Sequence, residues 1–126
     1  MTTLVSRDDL AWWAASGCAL ANAGVHLGLV PAHLTEAPYV GVLFVVGAAW
    51  LLAAAAGLLP PRPWTRAVAW WLGAAVAAGM LAGDLASRTV GLPLGDHEGW
   101  DDPYAACLLL EAAYLATFAA RPTSPP

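Results

Sequence analysis

The chain has 126 residues, 60% of them hydrophobic and only 11% charged, with a mean hydropathy of +0.62 and a formal charge of −4. A water-soluble domain of this size carries about a quarter charged residues, so the composition points to a membrane protein. The five basic residues are all arginines and form no basic cluster, which excludes an electrostatic nucleic-acid interface.

Four apolar runs, near 10–30, 39–59, 67–87 and 104–120, predict an all-α membrane protein. The first three are long enough to cross a hydrocarbon layer of about 30 Å, and the fourth is at the short limit. Only helices satisfy every peptide group within one such segment. The expected fold is a four-transmembrane-helix up-down bundle, a single domain over 1–126, with outward loops at 31–38 and 88–103 and a disordered tail at 122–126. The first run is read as a retained helix, not a signal peptide. Asp8 and Asp9 spoil a positive leader, and the apolar stretch continues past Ala21-Asn22-Ala23, the nearest thing to a cleavage site.

Arginine placement orients the bundle. Arg7, Arg62, Arg66 and Arg121 fall at one end and Arg88 at the other, which predicts cytoplasmic N and C termini. Trp12, Trp13 and Trp64 then mark the inner boundary, and Tyr39, Trp100 and Tyr104 the outer one. Small residues recur every four positions: Ala11, Ala15, Ala19 and Ala23; Ala49, Ala53 and Gly57; Ala75, Gly79 and Gly83. Such rows let backbones approach closely in lipid and predict tight packing, with a homodimer or another membrane protein as further partner beside the bilayer itself.

The polar residues are unevenly spread. Glu36, Asp84, Asp96, Glu98, Asp101, Asp102, Glu111 and all three histidines fall in the outer half, where cations are favoured. Cys18, Asn22 and His26 follow an i, i+4, i+8 spacing, as do Met80, Asp84 and Arg88; Cys107 and Glu111 are also four apart. Four-residue steps keep side chains on one helical face. Counting about 1.5 Å per residue, Asn22, His26, Met80, Asp84 and Glu111 share one depth, and lipid exposure there would be costly.

Three chemistries fit such a cluster. Imidazole with carboxylate suits zinc, iron or copper, and Met80 and Cys107 add soft donors. Glu111, Asp84 and His26 could instead carry protons in a small proton-coupled transporter acting as an oligomer. An acid–base role on a lipid-soluble substrate is the third, but no nucleophile–base pair or cofactor motif accompanies it. The bland alternative makes the cluster a packing device in a structural or partner-binding subunit. In it, Asp84 and Arg88 form an i,i+4 ion pair, Arg88 snorkels outward, and both cysteines are buried apolar thiols.

Ser87-Arg88-Thr89-Val90-Gly91-Leu92-Pro93-Leu94-Gly95 resembles a segment recurring in small four-helix membrane proteins of actinobacteria. His26 followed by His33-x-x-Glu36 is similar to a pattern in the same group. The resemblance implies an integral protein of the cytoplasmic membrane and carries no activity with it. The residues themselves favour an outward-facing cation site that binds, senses or transfers a transition metal without turnover. Its expected ligands are His26, His33, Glu36, Asp84 and Glu111. Asn22, Met80, Arg88 and Cys107 are expected to assist, with His97 as an access residue and the 96–102 segment as a lid.

Overall fold

The computed structural model describes residues 5–59, 62–93 and 99–122. Within them the chain forms four α-helices: α1 (Arg7–Glu36), α2 (Pro38–Leu58), α3 (Pro63–Thr89) and α4 (Asp102–Ala120). All four are long and apolar enough to cross a membrane. Their outward faces agree with that reading, since Leu43, Val46, Trp50, Val68, Trp71 and Leu109 all lie exposed. In water such a surface would be a continuous apolar patch; in a bilayer it is solvated by lipid.

Local sequence explains the helix ends. At the start of α1, Asp9 N–H donates to Ser6 Oγ and Ser6 N–H donates to Asp9 Oδ2, each at 3.1 Å. This reciprocal pair satisfies two amides the first turn leaves without partners. Prolines occupy the first turns of α2, α3 and α4, where a missing N–H costs nothing. At the far end of α3, Gly91 adopts φ 79°, a backbone state that penalises any Cβ, and its N–H donates to Ala86 O at 2.8 Å.

Pro31 does not end the first helix. α1 continues to Glu36, and the predicted outward segment 31–38 shrinks to Ala37, the one residue between α1 and α2. The last turn is held by Ala37 N–H donating to His33 O at 2.8 Å and by His33 Nδ1 on Leu29 O at 2.9 Å. A proline inside a membrane helix withdraws a single backbone donor and is tolerated where the packed bundle holds the turns on either side.

The helices pack in a ring, α1 against α2 and α4, and α3 against α2 and α4. Ala15, Ala19 and Ala23 are buried against Ala48, Leu51 and Ala55 of α2. The small α1 residues bring the two backbones close enough for Ser16 Oγ to donate to Ala55 O across the interface, at 3.2 Å. The other small-residue rows behave differently: Ala49, Ala53, Ala75 and Gly79 are exposed. On α2 the core face is one step round, at Ala48, Leu51, Ala55 and Leu58. In an alanine-rich helix several four-residue rows coexist, and the larger buried leucines decide which one turns inward.

Candidate metal centre

Three of the helices present polar groups to one interior point. α1 contributes His26, α3 contributes Asp84 and Arg88, and α4 contributes Cys107 and Glu111. Residue exposures are 1% for His26, 5% for Asp84, 4% for Arg88, and 0% for Cys107 and Glu111. The expectation of an outward-facing cluster is therefore overturned. The ligand atoms of His26, Asp84 and Cys107 lie within 4.8 Å of one another, with all three residues buried. The reason is rotational: the polar stripes face the bundle axis, and the packing of α1 and α3 on α4 closes them off.

The imidazole of His26 is oriented by its own helix. Nδ1 lies 3.0 Å from the carbonyl oxygen of Asn22, a hydrogen bond that places the proton on Nδ1. Nε2 then carries the lone pair, and it faces Asp84 Oδ2 and Glu111 Oε1, each at 3.9 Å. A lone pair aimed at two carboxylate oxygens is repulsive unless a positive charge lies between them. Asp84 Oδ2 and both Glu111 oxygens are buried without a hydrogen-bond partner. An orphaned buried carboxylate costs several kcal/mol, so two such oxygens facing one imidazole signal a cation or proton among them.

Cys107 Sγ lies 3.7 Å from His26 Nδ1 and within 4.8 Å of the ligand atoms of His26 and Asp84. The donor set is thus one imidazole nitrogen, one thiol sulfur and two carboxylates, a mixture that suits zinc and its borderline neighbours. Two ligands bonded to one zinc ion at about 2.1 Å stand roughly 3.4 Å apart in a tetrahedral arrangement. The observed 3.9 Å separations are close to that spacing.

Arg88 does not snorkel outward. Its Nη1 turns back to donate to Asp84 O at 2.6 Å and to Ser87 Oγ at 3.2 Å, and lies 3.7 Å from Asp84 Oδ1. Tyr104 covers the guanidinium, whose Cζ sits 3.6 Å from the ring centroid. A cation–aromatic contact of this kind offsets part of the desolvation that an inward-turned arginine incurs.

The other expected ligands are arranged differently. Both ring nitrogens of His33 are engaged, Nδ1 with Leu29 O and Nε2 with Tyr104 Oη at 2.8 Å. Phe44 packs between the two histidines, with centroids 4.7 Å from His26 and 4.6 Å from His33. Glu36 is exposed and joins no metal-ligand cluster among the described residues. Asn22 reaches Met80 Sδ through Nδ2 at 3.9 Å, which ties α1 to α3 just below the centre. His97, Asp96 and Glu98 lie outside the described residues. Cys107, expected only to assist, stands among the ligand atoms themselves. Its signal was the four-residue step to Glu111.

Both cysteines are free. The donor set matches the expected transition-metal cofactor, although with Cys107 in place of His33 and Glu36. Comparisons with protein-family models, with curated proteins and with solved structures find no match to this chain.

Proposed function

We propose that the protein holds one divalent transition metal, zinc foremost, inside a membrane-spanning four-helix bundle, through His26, Asp84 and Cys107 with Glu111 closing the site. The observation that carries this reading is the convergence of the His26 Nε2 lone pair with two buried carboxylate oxygens that have no hydrogen-bond partner. Charge supports it. A divalent ion and Arg88 together supply three positive charges against Asp84, Glu111 and a Cys107 thiolate. Without the ion, the same interior must take up protons to approach neutrality, so loading and protonation compete.

The test is elemental analysis of purified protein after exposure to zinc and removal of loosely held ions. About one metal per chain is expected, falling at least tenfold in the His26→Ala/Cys107→Ala double variant while helix content stays unchanged. Wild-type protein that retains no metal, or a double variant that retains all of it, would leave a buried ion-pair cluster as the account of these residues.

The same reading places the bundle in a bacterial cytoplasmic membrane, in up-down order with both termini inside. Arg7, Arg62, Arg66 and Arg121 at one end against Arg88 at the other support that orientation. The layout also resembles that of small actinobacterial membrane proteins. Green fluorescent protein fused to the C terminus should fluoresce, whereas alkaline phosphatase fused there should be inactive. The reverse pair of results would invert the topology.

A further inference from the structure

Beside the candidate metal centre, a cavity of about 290 Å³ opens between α2 and α3. Its two ends differ in chemistry. One end is walled by the buried residues His26, His33, Asp84 and Tyr104, near the turn that joins α1 to α2. The other runs past Leu43, Val46 and Trp50, which are exposed on the outer face of α2 and lead to the surrounding hydrocarbon. The gap exists because α3 presents Gly79 and Gly83 there, and an added Cβ at either would meet nothing within 4 Å.

We propose that this cavity binds a membrane-soluble quinol, with the hydroxylated ring inside and the apolar tail leaving between α2 and α3. Four observations select that chemistry. First, Asp84 lines the cavity with a buried carboxylate, an acceptor that a hydroxyl donor would satisfy. Second, the walls around it are aromatic, with Phe44 and Tyr104 beside the imidazoles, and flat rings pack on such walls edge to face. Third, the volume lies at the bottom of the range for small-molecule pockets, enough for a headgroup of one or two rings. Fourth, the polar end lies near the helix termini and the apolar end near mid-helix, the polarity of an amphiphile seated in one leaflet.

Other lipids fit less well. An acyl chain brings no donor to Asp84. A phospholipid headgroup would set its phosphate beside the carboxylates of Asp84 and Glu111. The proposal concerns binding alone and does not depend on the metal reading, because each oxygen of a carboxylate has two lone pairs and can serve an ion and a hydroxyl together.

The test is equilibrium binding of a decyl-substituted benzoquinol, kept reduced under anaerobic conditions, to the full chain in lipid nanodiscs. One saturable site per chain is expected. The dimethyl ether of the same quinol should bind about tenfold more weakly, the loss of roughly one hydrogen bond. Gly83→Leu should fill the cavity and abolish binding, with Gly79→Leu as a second blocking variant if the first folds poorly. Gly24→Leu, on an exposed face of α1 and clear of the cavity, should leave binding unchanged. Equal affinity for the ether, or binding that survives both blocking variants, would overturn the proposal. The same titration after chelation separates the two readings: quinol binding is expected to persist without the metal, and protein that takes up no metal yet binds the quinol sinks only the metal centre.

Discussion

Arg88→Met is expected to destabilise the bundle by about 3–5 kcal/mol, the range found when one partner of a buried ion pair is removed. The effect should be read from unfolding in denaturing detergent. The guanidinium side chain is fully enclosed and faces Asp84 Oδ1 at 3.7 Å. It is the only arginine within reach of the cluster among the described residues, so its loss leaves the carboxylates of α3 and α4 with less compensating charge. Methionine keeps much of the volume, which isolates the charge from the packing. A second change, Asp84→Asn, should recover part of the loss, because it removes the carboxylate that Arg88 compensates. A coupling energy above 1 kcal/mol in that double-mutant cycle would show the two residues acting as a pair. Additive effects would mean that the contact with Tyr104, and not the charge, is what Arg88 supplies. Arg88→Lys should rescue only partly, because an ammonium cannot spread over the Tyr104 ring while reaching Ser87 and the Asp84 carbonyl.

The second large effect lies in the core on the other side of the centre. Gly73 faces Tyr114, and a Cβ added there would overlap the phenol oxygen and its ring. That oxygen donates to the carbonyls of Ala69 at 3.3 Å and Trp70 at 3.4 Å, so Tyr114 has no freedom to retreat. Gly73→Val should cost about 1–3 kcal/mol or more through overpacking and disrupted bonds between α3 and α4. Gly28→Ala, on an open face of α1, should be neutral or stabilising by up to about 1 kcal/mol, as helix propensity predicts. Comparable losses from the two substitutions would contradict the packing described between α3 and α4.

The comparison of sequence with structure divides along one physical line. Hydropathy and helical rise give the position of a residue along the bilayer normal, and both were legible. Four apolar helices were found where four apolar runs occur, and His26, Asp84 and Glu111 do meet at one level. Rotation about each helix axis was less legible. At about 100° per residue, His33 returns nearly to the face of His26 while Glu36 is turned roughly 80° away, so Glu36 could never join the stripe. His33 does share that face, but it is engaged by Leu29 and Tyr104, and a bond to a residue 71 positions away is invisible from spacing alone. A snorkelling Arg88 is what the packing-device alternative expects, because long side chains near helix ends commonly reach for water. Here the Tyr104 ring and the Asp84 carbonyl offer closer partners within the bundle. Pro31 was read as a boundary, since a proline withdraws one helical hydrogen bond. The bonds of the following turn depend on where His33 points, which the sequence does not state.

X-ray absorption at the zinc edge of the loaded, full-length protein tests the metal centre most directly. The account predicts a mixed shell of nitrogen and oxygen at about 2.0–2.2 Å with one sulfur near 2.3 Å. The sulfur component should vanish in Cys107→Ser while the remaining shell persists. A shell of nitrogen and oxygen alone in the wild type, unchanged by that substitution, would place the ion elsewhere and contradict the assignment.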